Sequence, residues 1–292
     1  MKNLVTILLL TFAITLTGFF VFRTKIKAAN LEKNVLASQI RPTVNLTPTP
    51  TPEPELPFRK YEAPQIEKKR EYTIVMIGDS MTHALGPHGG KFYEDINKLY
   101  KDSGHGILVD NYAIPSTNIL QLDHVINTKT KVDDATFDPL FSRKFDLILI
   151  ESFAYNPLSQ FGITGGIKRQ NHELDKLMEI LRTSHSDSGI MFVATIAPNK
   201  ESFSKKVHPD IKESESTELA DERIAYLKNH IKYAEDHGIP LANIYEKSLT
   251  KSGDGNLDYI NPDDDIHPSA VGLEFIGREL AKDIYDNNIF PK

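Results

Sequence analysis

A serine hydroxyl stands at the end of an apolar run in the first third of this chain. Residues 74–77, Ile-Val-Met-Ile, lead directly into Gly78-Asp79-Ser80. Four consecutive large apolar residues have the character of a strand buried on both faces. Gly78 permits a tight turn, so Ser80 falls where the strand gives way to a loop or helix. Side chains at the carboxyl end of a parallel strand face the crevice in which open α/β sheets bind ligands. A hydroxyl is a weak nucleophile until a base takes its proton, and that base needs an orienting group of its own. Near the other end of the chain stands Asn261-Pro262-Asp263-Asp264-Asp265-Ile266-His267-Pro268-Ser269. Pro268 disfavours helical geometry at His267, which assigns this imidazole to a loop. A carboxylate three residues earlier, Asp264, can curl back to its second ring nitrogen. The chemistry so predicted is nucleophilic catalysis, with Ser80 as nucleophile, His267 as general base and then acid, and Asp264 as the orienting carboxylate.

The elements that must position these groups read as strands alternating with helices. Residues 74–77, 107–112, 146–150, 189–196 and 241–244 are short apolar runs of strand length, and 146–150 (DLILI) is expected to be central. Between them, residues 91–101, 119–126, 172–182 and 217–237 carry apolar side chains at helical spacing. Gly238 and Pro240 supply a stop for the last of these. Residues 268–285 close the chain with Leu273, Ile276, Leu280 and Ile284 on one face. Such alternation predicts a mostly parallel five-stranded sheet covered by helices on both sides.

Gly78-Asp79-Ser80 and Asp264-x-x-His267 resemble the GDSL/SGNH hydrolase superfamily, and the resemblance extends over residues 72–292. It implies a three-layer α/β/α sandwich of flavodoxin-like type that hydrolyses esters of lipids, acetylated sugars or related substrates through an acyl-enzyme, without a cofactor. It further implies an oxyanion hole built from the nucleophile's own N–H, an N–H in the loop after the second strand, and an asparagine side chain after the third. By position these fall on Ser80, Ser116 and Asn156. Ser116 stands where the family has glycine. Ala154 and Pro157 replace the glycine and aspartate of the family's Gly-x-Asn-Asp. Two other functions stay open on the same fold: acyl transfer to a sugar from the same acyl-enzyme, and a catalytically silent module that binds surface glycan.

Composition narrows the remaining classes. The chain has 292 residues, 40% hydrophobic and 25% charged, an ordinary globular balance with room for a large core. A net charge of −6 gives no basis for nucleic-acid binding. With no cysteine, disulfides, zinc–thiolate sites and cysteine nucleophiles are excluded. Residues 4–22 are an unbroken uncharged, predominantly apolar stretch, long enough as a helix to span about 28 Å. We read residues 1–27 as an uncleaved membrane anchor in preference to a cleaved signal peptide, since no good small-x-small site follows. Residues 28–70 include the Pro/Thr-rich stretch 41–57, an extended spacer. Residues 71–292 then form the hydrolase domain, expected on the extracytoplasmic side with ester-bearing glycan or lipid as its partner; cleavage of the leader would make it a secreted protein. Asp254-x-Asn256-x-Asp258 begins like a calcium loop, but Tyr259 occupies the position that needs glycine. Residues 199–216, rich in charge, read as a solvated loop or as a lid.

Overall fold

Strand β1, Glu71–Ile77, is the first regular element of the computed structural model, which describes residues 59–292. Its last four residues are buried, as expected of a run with no polar position. Parallel partners flank it on both sides. Tyr72 to Met76 pair with residues of β2, Gly106–Asn111, and Ile74 to Ile77 pair with β5, Leu147–Glu151. Beyond β5 lie β6, Gly189–Ala194, and β7, Leu241–Asn243, also parallel. The strand order is β2-β1-β5-β6-β7, so the expected five-stranded sheet is present and the DLILI strand is at its centre. The chain moves outward from β1 to β2, then returns to the opposite side of β1 to lay down β5. The β1/β5 gap is therefore the topological switch point, where open α/β sheets form their binding crevice.

Seven α-helices accompany the sheet among the described residues: α1, Ser80–His83; α2, Gly90–Leu99; α3, Leu122–Asn127; α4, Gly162–Ser184; α5, Glu213–His237; α6, Ile244–Lys247; and α7, Ala270–Asp286. Alternation along the strands sorts the long ones into layers. Ile276 and Leu280 of α7 face Met76, Leu149 and Val193, and α2 packs against α7. Residues of opposite parity face the other way: His230 of α5 stacks on Phe192 at 4.3 Å and its Nε2 lies 3.0 Å from the Ile150 carbonyl oxygen. Helix α4 packs beside α5 on that side. The result is the expected α/β/α arrangement.

Three local features differ from the sequence expectation. Helix α4 begins ten residues earlier than its apolar periodicity starts. Gly165 and Gly166 argue against helix by propensity, yet the Tyr226 hydroxyl of α5 stands so close to Gly166 that a Cβ there would lie 1.8 Å from it. The glycine is kept by helix packing. A two-stranded antiparallel hairpin, β3, Thr130–Val132, and β4, Ala135–Phe137, falls in a stretch without an assigned element. Residues 199–212 are held and not freely solvated. Phe203 and Ser204 are buried, and the Ser216 hydroxyl donates to the Phe203 carbonyl at 2.8 Å.

Residues 59–70 carry no regular secondary structure but lie along the domain. The Ile190 N–H donates to the Tyr61 hydroxyl at 2.8 Å, and Tyr61 N–H donates to the His237 carbonyl at 2.7 Å. Lys69 pairs with Asp146. Among the described residues no helix is long and apolar enough to cross a membrane. The expected anchor at 4–22 and the spacer at 41–57 lie outside the described residues.

Candidate active site

The turn after β1 is shaped by the residues it must avoid. A Cβ on Gly78 would lie 2.7 Å from the Glu151 Cβ and 2.8 Å from the Thr82 Oγ1. Glycine is thus what lets the turn tuck against the end of β5. Asp79 is fully buried and serves as the N-cap of α1, its Oδ1 accepting the Met81 N–H at 2.9 Å. Ser80 opens that helix with its hydroxyl partly exposed.

The partner loop approaches from 187 residues away. Asn261 organises it: the Asn261 N–H donates to the His267 carbonyl at 2.7 Å, and the Asp265 N–H donates to the Asn261 carbonyl at 2.9 Å. Asp265 adopts φ +58° at the crest of the loop, a conformation Asp tolerates better than most residues. Ser269 then caps α7, accepting the Gly272 N–H at 3.0 Å. This geometry sets His267 Nε2 at 3.0 Å from Ser80 Oγ and His267 Nδ1 at 2.9 Å from Asp264 Oδ2. A carboxylate only accepts, so Nδ1 carries the hydrogen and Nε2 is left as the acceptor for the serine proton. The other Asp264 oxygen accepts the N–H groups of Ile266 and His267 at 2.8 and 2.9 Å, and Asn261 Nδ2 donates to Oδ2 at 3.2 Å.

The electrostatics follow. Hydrogen bonding to Asp264 raises the His267 pKa against the opposing effect of burial, and the charges of Asp264 and Asp79 raise it further. Partial burial pushes Asp264 upward, but the hydrogen bonds from the His267 side chain and backbone and from Ile266 outweigh it, so its carboxyl sits below the usual range. The His267 side chain keeps 40% of its surface exposed, which leaves the pair open to a substrate.

The two remaining expected residues lie in the loops after β2 and β5. Residues 114–117, Ile-Pro-Ser-Thr, form a turn with Ser116 at φ +61°, the conformation required at the third position of a turn with proline second. The loop is fastened to the nucleophile turn: the Ile114 N–H donates to the Gly78 carbonyl at 3.2 Å, and the Thr117 hydroxyl lies 3.4 Å from the same oxygen. Ser116 thus adopts a positive-φ conformation that glycine takes at no steric cost. Asn156 donates from Nδ2 to Asp79 Oδ2 at 3.0 Å.

Two carboxylates of this region were not singled out from the sequence. Asp79 was visible only as the middle of Gly-Asp-Ser. Glu151, 1% exposed, ends the central strand and accepts the Phe153 N–H at 3.0 Å. Its signal was a carboxylate closing an otherwise wholly apolar buried run. The resemblance to a calcium loop at 254–258 is not one in space: Asp254 Oδ1 accepts the Lys200 and Gly255 N–H groups, both at 2.9 Å.

A family model described as GDSL-like lipase/acylhydrolase matches residues 74–280, a span that opens in β1 and closes within α7. The chain belongs to this family. It is accordingly an enzyme acting on ester bonds. Solved structures agree in fold at low sequence identity. A GDSL-like lipase of Parabacteroides merdae superposes with TM-score 0.54 and 14% identity over 78% of this chain and 100% of its own. The lipase/acylhydrolase of Enterococcus faecalis gives 0.50 and 15% over 74% and 96%, and the acetyl xylan esterase AlAXEase gives 0.50 and 12% over 74% and 98%. No curated protein sequence matches the chain. The GDSL-like domain of this protein therefore shares its architecture with esterases from which its sequence has diverged widely.

Proposed function

We propose that the protein hydrolyses O-acyl esters, O-acetyl groups above all, through an acyl-enzyme on Ser80. The observation that carries this reading is the hydrogen-bonded chain Ser80–His267–Asp264, at 3.0 and 2.9 Å. Ser80 Oγ attacks the ester carbonyl carbon while its proton passes to His267 Nε2. The resulting oxyanion is stabilised by the Ser80 and Ser116 N–H groups and by the Asn156 amide, whose second hydrogen is not used by Asp79. The imidazolium, stabilised by Asp264, protonates the leaving alkoxide. Water then attacks the acyl-enzyme with His267 again as base, releasing the carboxylic acid and restoring Ser80.

The substrate class is inferred from placement. An apolar segment at 4–22 followed by a Pro/Thr-rich spacer at 41–57 suits an enzyme tethered at the outer face of a membrane. The accessible esters there are acylated glycans of the cell surface and lipid esters. The fold accommodates acetylated glycans in at least one relative, the acetyl xylan esterase.

The test is a panel of activated esters from acetyl to octanoyl, together with acetylated xylan, given to the full-length chain and to Ser80→Ala. The expected result is hydrolysis favouring acetyl, covalent labelling of the wild type by a serine-directed phosphonate, and loss of both in Ser80→Ala. Hydrolysis that survives Ser80→Ala would overturn the reading.

A further inference from the structure

Beneath the nucleophile turn, two buried carboxylates join the β1 and β5 loops in both directions. From the β5 side, Glu151 Oε2 accepts the Asp79 N–H at 3.4 Å and the Phe153 N–H at 3.0 Å, while Ser152 Oγ is hydrogen-bonded to Oε1. From the β1 side, the Asp79 carboxylate accepts the Asn156 amide at 3.0 Å and is hydrogen-bonded by the Tyr155 backbone. Phe153, between these contacts, is held at φ +52°. A bulky aromatic in that conformation is strained and persists only where its surroundings enforce it. Its N–H bond to Glu151 is one such restraint.

We propose that Glu151 is a positioning residue, one that clamps the Asp79–Ser80 turn to the 153–156 loop and so fixes the Ser80 N–H relative to the Asn156 amide. The inference rests on the reading of those two groups as oxyanion donors. Glu151 does not reach the substrate. It acts through the two loops it joins.

The clamp has a protonation state. Burial, and next the charge of Asp79, push the Glu151 carboxyl up to about 8. The groups facing it offer no compensating cation. Thr82 of α1 and Thr195 after β6 are uncharged, and α7 contributes only Ile276 and Leu280. Tyr155 is kept protonated by burial, and burial holds His230 of α5 neutral, down at about 3. His267 and Arg223 act on Asp79, the acid beside it. The cavity next to Glu151 measures about 10 Å³, room for no more than a single water to solvate an anion. As a neutral acid, Glu151 accepts two N–H groups on Oε2 and shares a hydrogen with Ser152 through Oε1. Ionisation places two carboxylates against one turn and loosens the clamp.

Glutamine reproduces the neutral acid, one oxygen accepting both N–H groups and one –NH₂ donating to Ser152. Wild type should show an alkaline decline in kcat above about pH 8, and the full-length Glu151→Gln enzyme should keep kcat at pH 7 within about threefold and lose that decline. Glu151→Ala should lower kcat by about 10²-fold with KM within about threefold, as expected when donors are misplaced. A second readout is independent of turnover. A folded-state pKa raised above the ordinary carboxyl value gives stability that is complete below about pH 4.3 and is lost as pH rises to about 8. The wild-type melting temperature should therefore fall across that window relative to Glu151→Gln. If Glu151→Gln keeps both the wild-type alkaline limb and the wild-type melting curve, or if folded Glu151→Ala keeps full kcat, Glu151 has no such role. Wild type that hydrolyses no ester would sink the esterase reading, and the melting comparison would still decide the clamp.

Discussion

The Asn156 amide nitrogen donates to the carboxylate of Asp79 at 3.0 Å, a side-chain contact that helps tie the loop after the central strand to the turn that holds the nucleophile. Asp79 precedes Ser80, so a shift of either loop moves the hydroxyl and the amide together. One amide hydrogen is held by Asp79, and the other makes no further hydrogen bond among the described residues. Burial raises the Asp79 pKa, which the donors from Met81 and Asn156 and the charge of His267 oppose. In the proposed mechanism the amide therefore has two duties, satisfying a buried acid and facing the developing oxyanion.

Replacing Asn156 separates those duties. Asn156→Ala should lower kcat by about 10²–10³ with KM nearly constant, the usual cost of one oxyanion donor. It should also destabilise the protein by about 1–3 kcal/mol, because a buried acceptor loses its partner. Asn156→Asp should be worse on both counts, since it sets a second carboxylate against Asp79. Steady-state kinetics and thermal melting of the two variants check this, and an Asn156→Ala enzyme with full kcat would remove the amide from the mechanism.

Ser116 offers a contrast, because only its backbone is asked to act. At φ +61° it carries strain that glycine does not. Ser116→Gly should raise stability by about 0.5–1 kcal/mol, the strain relief exceeding the extra chain entropy of glycine. Activity should stay within about threefold, since the N–H remains in place. Ser116→Pro removes the N–H and forbids positive φ, and should lose both stability and activity. A large loss of activity in Ser116→Gly would show that the hydroxyl itself takes part.

The sequence disclosed the parts of this site that are bonded to short, punctuated motifs. Ser80 followed a buried strand and a glycine, and His267 was fixed in a loop by Pro268, so both were legible from neighbours a few residues away. Strands β5 and β6 and the second half of β1 were legible because a strand buried on both faces is apolar at nearly every position. What escaped depends on partners distant in the chain. Glu151 gains its meaning from Asp79, 72 residues away. Gly166, in the second turn of α4, is a glycine for the sake of Tyr226. The hairpin β3–β4 is three residues per strand, too short for alternation to register. Residues 199–212 look solvated by composition, yet the Ser204 N–H approaches the Asp265 carbonyl at 3.4 Å and packs that segment against the catalytic loop.

Acid sensitivity should report on the His267–Asp264 pair. The base must be neutral to accept the serine proton, so kcat/KM should rise with pH as His267 deprotonates. Its folded-state pKa is raised by Asp264, which places the midpoint of the rise above about 6.5, the ordinary imidazole value. Asp264→Asn removes the charge that raises it, so the midpoint should move down while kcat falls by about 10³–10⁴. The measurement is kcat/KM from pH 5 to 8 in both proteins. A midpoint that does not move in Asp264→Asn would separate Asp264 from the titration of His267.

Gly78 tests whether the site depends on the close approach of β1 and β5. Alanine there brings a Cβ to 2.7 Å from the Glu151 Cβ, and to 2.8 and 3.0 Å from Oγ1 and Cβ of Thr82. None of these atoms is the free end of a flexible chain. The Glu151 Cβ belongs to the central strand, and Thr82 is held in α1, so the turn itself has to give. Overpacking of this kind costs about 1–3 kcal/mol, which for a domain of this size is a fall in melting temperature of about 2–12 °C. A turn displaced by a few tenths of an ångström carries Ser80 away from His267 and the Asp79 N–H away from Glu151 at once. Gly78→Ala should therefore lose activity well beyond its loss of stability, with kcat/KM down by at least about 10² at a temperature where the variant is fully folded. Thr82→Ala in the same chain removes the Oγ1 contact but leaves the Cβ of residue 82 and the Glu151 contact in place, so it should recover part of the stability and little of the rate. A double variant with wild-type rate would place the constraint on α1 instead of on the β1/β5 gap.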